Sequence, residues 1–136
     1  MSWHDNIVHG IRIRNPDDET YDFDLMLDLD YILEWLPVEN TFDFVIAPAI
    51  LVFHSVNHLK FNFKLSYKED IGIDWIDREE ITTESDLKAA IRIWRFRIHL
   101  HNEQPDTITF KAMGFTQELT KAPVVSQRMW LEDVER

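Results

Sequence analysis

The chain has 136 residues, within the range of one domain, and 45% of them are hydrophobic, with nine Phe, five Trp and three Tyr to fill an interior; a disordered chain is excluded. Fourteen Lys and Arg stand against 25 Asp and Glu, a formal charge of -11 that repels phosphate backbones and anionic membrane surfaces, so neither nucleic acid nor a membrane is an expected partner. The absence of Cys removes disulfides, thiolate nucleophiles and every Cys-ligated zinc or iron–sulfur site.

In chain order, the opening residues Met1-Ser2-Trp3-His4-Asp5 lack the basic-then-apolar pattern of a secretory signal, which makes the cytoplasm the expected location. Period-two alternation follows. Ile7, His9, Ile11 and Ile13 alternate with Val8, Gly10, Arg12 and Arg14, which places His9 on the apolar side of a strand, near Leu27, as a core histidine. Over 21–33 the pattern is clearest, with Tyr21, Phe23, Leu25, Leu27, Leu29, Tyr31 and Leu33 on one side and Asp22, Asp24, Met26, Asp28 and Asp30 on the other. That predicts a long strand with one buried face and one solvated acidic face. Turn formers over 15–20 join the two strands as a hairpin, and the register that matches charge puts Ile13 opposite Phe23, Arg14 opposite Asp22 and Arg12 opposite Asp24.

The apolar run over 44–53 is too short for a helical membrane span, and Pro48 inside it predicts an edge strand or a bulge rather than a central strand. Leu51, Phe53, Leu59, Phe61, Phe63 and Leu65 share a parity with a break near 55–57, and Ile71, Ile73 and Trp75 continue the alternation. Over 83–90 a short helix capped by Ser85 competes with a loop. Trp94, Phe96, Ile98 and Leu100 point inward, with Arg95, Arg97, His99 and His101 outward; a turn over 102–106 leads to Ile108, Phe110 and Ala112 on the same core. Residues 121–136 read as a tail, packed on the domain or loosely ordered, extended or helical over 129–134. The expected fold class is all-β, a single domain over 1–136 built as an antiparallel β-sandwich or partly open barrel, with at most short helices near 83–90 and in the tail.

Chemistry is sparse. Gly10, Gly72 and Gly114 are too far apart for a phosphate-binding loop, and no Ser sits in a glycine-flanked elbow, although a Ser–His–Asp site assembled from distant segments stays open. His99 and His101, two apart on a strand, project from one face and are the best metal candidates, but Arg95 and Arg97 share that face and disfavour a dication; no metal and no cofactor are therefore expected. His54 and His58 have the spacing of a helical zinc motif, yet in a strand they lie about 13 Å apart, and Ser55 stands where that motif has its Glu. The row of Asp22, Asp24, Asp28 and Asp30 is the most unusual feature. Asp28 and Asp30, about 7 Å apart, match paired glycosidase carboxylates or calcium ligands, whereas the row as a whole suits a solvated face that docks a basic protein.

Four stretches carry a resemblance: Trp3-His4-Asp5, Leu27-Asp28-Leu29-Asp30-Tyr31-Ile32-Leu33-Glu34-Trp35, Ala47-Pro48-Ala49-Ile50-Leu51-Val52-Phe53 and Gly114-Phe115-Thr116-Gln117. Together they resemble a family of small, uncharacterised bacterial proteins to which no activity or ligand is attached. In size, acidity and strand-rich pattern the chain is also similar to immunity proteins of bacterial toxin systems. The leading expectation is a cytosolic, non-enzymatic interaction domain that binds a basic protein partner through Asp22, Asp24, Asp28 and Asp30, as an immunity protein binds its toxin. The alternative is a small metal-dependent or acid/base hydrolase using His99, His101 and Asp residues of the strand over 21–33. The pattern leaves a homo-oligomer open.

Overall fold

A computed structural model of the chain describes residues 2–15, 22–63, 70–101 and 107–136. Antiparallel strands dominate, in the order β1 (Ile7–Arg14), β2 (Phe23–Val38), β3 (Thr41–Asn62), β4 (Ile71–Glu80), β5 (Trp94–Leu100), β6 (Thr107–Ala112), β7 (Gly114–Leu119) and β8 (Val124–Ser126). The expected turns over 16–20 and 102–106 lie outside the described residues. β3 is the spine: β2 runs along one side of it, while β8, β7 and β6 pair with successive stretches of it. The sheet runs β2-β1-β4-β5-β6-β3 and closes on itself through the β2–β3 pairing, although only Ile7 and Val8 of β1 seam it to β4. The expectation of an all-β sandwich or partly open barrel holds, and closure leaves fewer free strand edges.

Inside the ring, Leu25, Leu27, Leu29, Leu51, Phe53, Val56, Ile73, Phe96, Ile98, Ile108 and Phe110 form the main core. Each fully buried side chain of this size contributes about 1.5–3 kcal/mol. Phe53 meets Phe96 and Phe110 edge-on at centroid distances of 5.0 and 4.7 Å. The alternation of β5 and β6 fits this core as the sequence predicts, with Ile98 opposite Ile108 and Phe96 opposite Phe110.

Four expectations need correction. The β1–β2 hairpin keeps its faces but slides by two residues: Ile13 faces Leu25, and Arg14 rather than Arg12 faces Asp24. A two-residue slide preserves side-chain parity, so the hydrophobic pattern could not discriminate between the registers. A bulge between Val8 and Gly10 turns Val8 inward and His9 outward, where its Nε2 meets Asp30 Oδ2 at 2.6 Å; His9 is not a core histidine. Pro48 sits within central β3, not at an edge. It lies where the neighbour changes from β7, ending opposite Ala49, to β8, beginning opposite Ile46, so its missing N–H leaves no ladder bond unmade while its carbonyl accepts from Thr120 N. The short helix α1 (Glu84–Lys88) is capped by Thr83, not Ser85: Thr83 Oγ1 accepts from Asp86 N, and the Asp86 carboxylate accepts from Thr83 N. Hydrogen bonding from the Thr83 backbone N–H first, and from the Thr83 side chain second, holds the Asp86 carboxyl below its usual range.

The tail carries β8 and a single 3-10 turn (Asp133–Glu135). Leu131, 2% exposed, packs on Ile32, Phe44 and Ile46, a second cluster on the outer side of β2 and β3. β2 is thus covered on both faces over part of its length. No helix among the described residues is long and apolar enough to cross a membrane.

Candidate metal centre

The Asp row is not the solvated face that alternation implies. Asp24 and Asp30 are buried, at 5% and 0% exposure. Asp24 pairs with Arg14 at 3.0 Å and accepts from Ser55 N. Asp30 accepts from Leu131 N at 2.8 Å, contacts His9, and shares the Arg136 guanidinium with Asp28. A buried carboxylate must be neutralised and hydrogen-bonded, and here Arg136 supplies the charge. The exposure of this face is corrected by the tail, whose irregular sequence gives no periodic signal that it would fold back over β2. Asp22 and Asp28 remain partly exposed.

His99 and His101, weighed above as the best metal candidates, turn to different partners. His99 stacks on Trp75 at 4.0 Å and its Nε2 meets Asp77 Oδ2 at 2.7 Å. Hydrogen bonding from His99 first, and from the Trp75 indole second, holds the Asp77 carboxyl below its usual range. His54 faces Thr116 and His58 faces Asn57, so those two histidines serve separate local contacts.

His101 goes elsewhere. Its Nε2 lies 2.8 Å from Asp5 Oδ1, while His4 Nε2 lies 3.3 Å from Asp5 Oδ2. The donor atoms of His4, Asp5 and His101 all fall within 4.8 Å of one another. Ligands held at about 2.0–2.1 Å from zinc at tetrahedral angles are themselves about 3.3 Å apart, so the spacing already approaches that of a coordination sphere. Asp74 Oδ1 stands 3.5 Å from His4 Nδ1 and 3.8 Å from His101 Nε2.

Backbone geometry explains the convergence. Consecutive residues of an extended strand point to opposite faces, but Asp5 adopts φ 63°, in the left-handed region that Asp tolerates better than most residues, and this turn brings His4 and Asp5 together. The turn is fixed by Asp5 N donating to Ile73 O, Asn6 N to Trp3 O, and Ile73 N to Asn6 O. On the other side of β4, His101 N donates to Gly72 O at 2.7 Å. Gly72 makes room for the imidazole: a Cβ there would come within 3.3 Å of His101 Cδ2. The segment 72–74 of β4 is therefore the platform between the N-terminal turn and the end of β5.

His4 Nδ1 lies 2.6 Å from the Asp74 carbonyl oxygen, which can only accept, so Nδ1 is the donor there and Nε2 is the nitrogen turned toward Asp5. His4 and His101 are about half exposed, so the cluster is open to solvent. Among the described residues no Lys or Arg pairs with Asp5 or Asp74. Arg95, invoked above against a metal, pairs with Glu79 instead. Alternation could not have found His4 and Asp5; the available signal was an Asp-Asn pair at a strand entry, a common turn sequence, directly after a His.

Comparison of the chain with protein-family models, with curated proteins and with solved structures finds no match.

Proposed function

We propose that the chain binds a divalent transition-metal ion through His4, Asp5 and His101, and that metal-assisted hydrolysis is the chemistry this ligand set suits. The observation that carries the reading is the convergence of two imidazoles and one carboxylate in a solvent-open cluster that no cation neutralises among the described residues. Imidazole nitrogens favour zinc and its neighbours over calcium or magnesium, and three protein ligands leave positions open, as in catalytic rather than structural sites. A divalent ion held there supplies a Lewis acid and lowers the pKa of a coordinated water. The protein's part is orientation and charge: the Asp74 carbonyl aims His4 Nε2, Asp5 offers its two oxygens to the two histidine sides, and the Asp74 carboxylate stands near enough to accept a proton or join the ligands. The basic-partner reading has narrower support, since Asp24 and Asp30 are turned inward and such a partner would meet only Asp22 and Asp28 of the row.

The test is zinc titration by calorimetry together with elemental analysis of protein purified without chelator. One zinc per chain is expected, with affinity falling as pH drops because protons compete with the metal for its ligands. The His4→Ala, His101→Ala double variant should lose at least tenfold in affinity with an unchanged melting temperature in the absence of metal, while His99→Ala keeps its affinity. Absence of binding, or binding untouched by the double variant, overturns the reading.

A further inference from the structure

The outward faces of β5, β6 and β3 are aligned by their register into three ranks. Arg97 faces Thr109, which faces Lys60; His99 faces Thr107, which faces Asn62; Arg95 faces Lys111, which faces Asn57. In a chain of net charge -11, this patch gathers four cations and, on those three strands, no described carboxylate in the ranks. Arg95 is tied to Glu79 on β4. Asp77 lies opposite Arg97 on β4 and attracts it through space, but its hydrogen bonds go to His99 and the Trp75 indole and it forms no direct ion pair with Arg97. Among the described residues no carboxylate forms an ion pair with Arg97, Lys60 or Lys111. A groove of about 360 Å³ runs over the first two ranks, lined by Arg97, His99, Thr107, Thr109, Lys60 and Asn62.

We infer that this groove binds the phosphate group of a small phosphorylated ligand. Strands lie about 4.8 Å apart, so the Arg97 and Lys60 backbones stand about 10 Å apart with Thr109 between them, and their long side chains can close on one anion from both sides. Arg97 offers a planar pair of N–H donors and Lys60 a compact charge, while the Thr109 and Thr107 hydroxyls and the Asn62 amide supply neutral donors beneath. A tetrahedral dianion uses such a set fully, and charge-assisted bonds are the stronger kind. A phosphodiester polymer is disfavoured by the acidic remainder of the chain, which a small ligand does not have to approach. The groove is distinct from the metal cluster: Arg97 and His101 are four residues apart on one strand path, about 13 Å, so a phosphate at Thr109 does not reach His101. The inference therefore stands without the metal reading.

The experiment is an NMR titration of ¹⁵N-labelled, metal-free protein with sodium phosphate against sodium chloride at equal ionic strength. Saturable shifts confined to the amides of Lys60, Asn62, Thr107, Thr109 and their neighbours are expected with phosphate and not with chloride. Arg97→Ala and Lys60→Ala should each weaken binding at least tenfold, Thr109→Val should weaken it less, and the His4→Ala, His101→Ala variant should bind as the wild type does. Shifts that match those of chloride, that map elsewhere, or that persist at full affinity in an Arg97→Ala, Lys60→Ala double variant overturn the assignment. Loss of zinc binding with phosphate binding intact would fail the metal reading alone.

Discussion

Asp30 and Asp5 both lie against a histidine, Asp30 against His9 at 2.6 Å and Asp5 against His101 at 2.8 Å. Their surroundings then diverge. Asp30 is fully buried, takes a hydrogen bond from Leu131 N and is met by the Arg136 guanidinium. Asp5 is partly exposed, and its other close ionisable contact is a second imidazole. A carboxylate–imidazole contact therefore does not by itself mark a ligand site. A guanidinium in place makes the group part of the fold, whereas partly exposed carboxylates that no Lys or Arg among the described residues balances leave a negative cluster that a metal ion can neutralise.

The sharpest break of this comparison is Asp30→Asn. The change is nearly isosteric, yet it leaves Arg136, whose side chain is only 13% exposed, with the half-exposed Asp28 as its remaining carboxylate partner. Removing one partner of a buried pair costs about 3–5 kcal/mol when the other charge is left alone; because Asp28 still balances Arg136, the low end, about 3 kcal/mol, is expected in urea unfolding. A loss below about 1 kcal/mol, the scale of a surface pair, would return Asp30 to the solvated face that alternation implies.

A smaller effect tests the tail that makes the difference. Leu131 is the buried residue through which the tail covers Ile32, Phe44 and Ile46. Leu131→Ala should cost about 2 kcal/mol, the low end for a Leu truncation because the tail can settle into part of the space. It should also raise hydrogen exchange at the Leu131 amide, which donates to Asp30. Unchanged stability with unchanged exchange would mean that the tail contributes nothing to holding Asp30.

What the sequence made legible follows from which forces repeat along the chain. The all-β class and the faces of β5 and β6 were legible because a strand half in the core must alternate, and Phe96, Ile98, Ile108 and Phe110 do so. The bulge at His9 was not, since one extra residue resets parity without any change in composition. The burial of Asp24 and Asp30 was hidden because their partners are Ser55 on β3 and residues 131–136, far along the chain. Of the candidate site, His101 was singled out and its partners were not. His4 and Asp5 reach it through a left-handed turn, and Gly72 matters only because His101 lies over it. Such convergence depends on long-range packing, which no local period encodes.

The smallest effect concerns another carboxylate–histidine contact, Asp77 with His99, which lies between the two extremes. Asp77 is more than half exposed, and hydrogen bonds from His99 and Trp75 depress its pKa in the folded state. A depressed carboxylate contributes stability that is fully present above its unfolded pKa, near about 3.9, and is lost as pH falls through the folded value. The melting temperature of wild type should therefore exceed that of Asp77→Asn at pH 5, and the gap should close as pH is lowered from about 4 toward 2. Solvent screening keeps the effect to at most about 1 kcal/mol. A gap that stays constant through that window would mean that the variant lost packing of the Trp75 and His99 rings rather than charge. A gap that opens with added zinc would place His99 among the ligands, and the distinction between a contact that holds the fold and one that holds a metal would have to be redrawn on the β5 face.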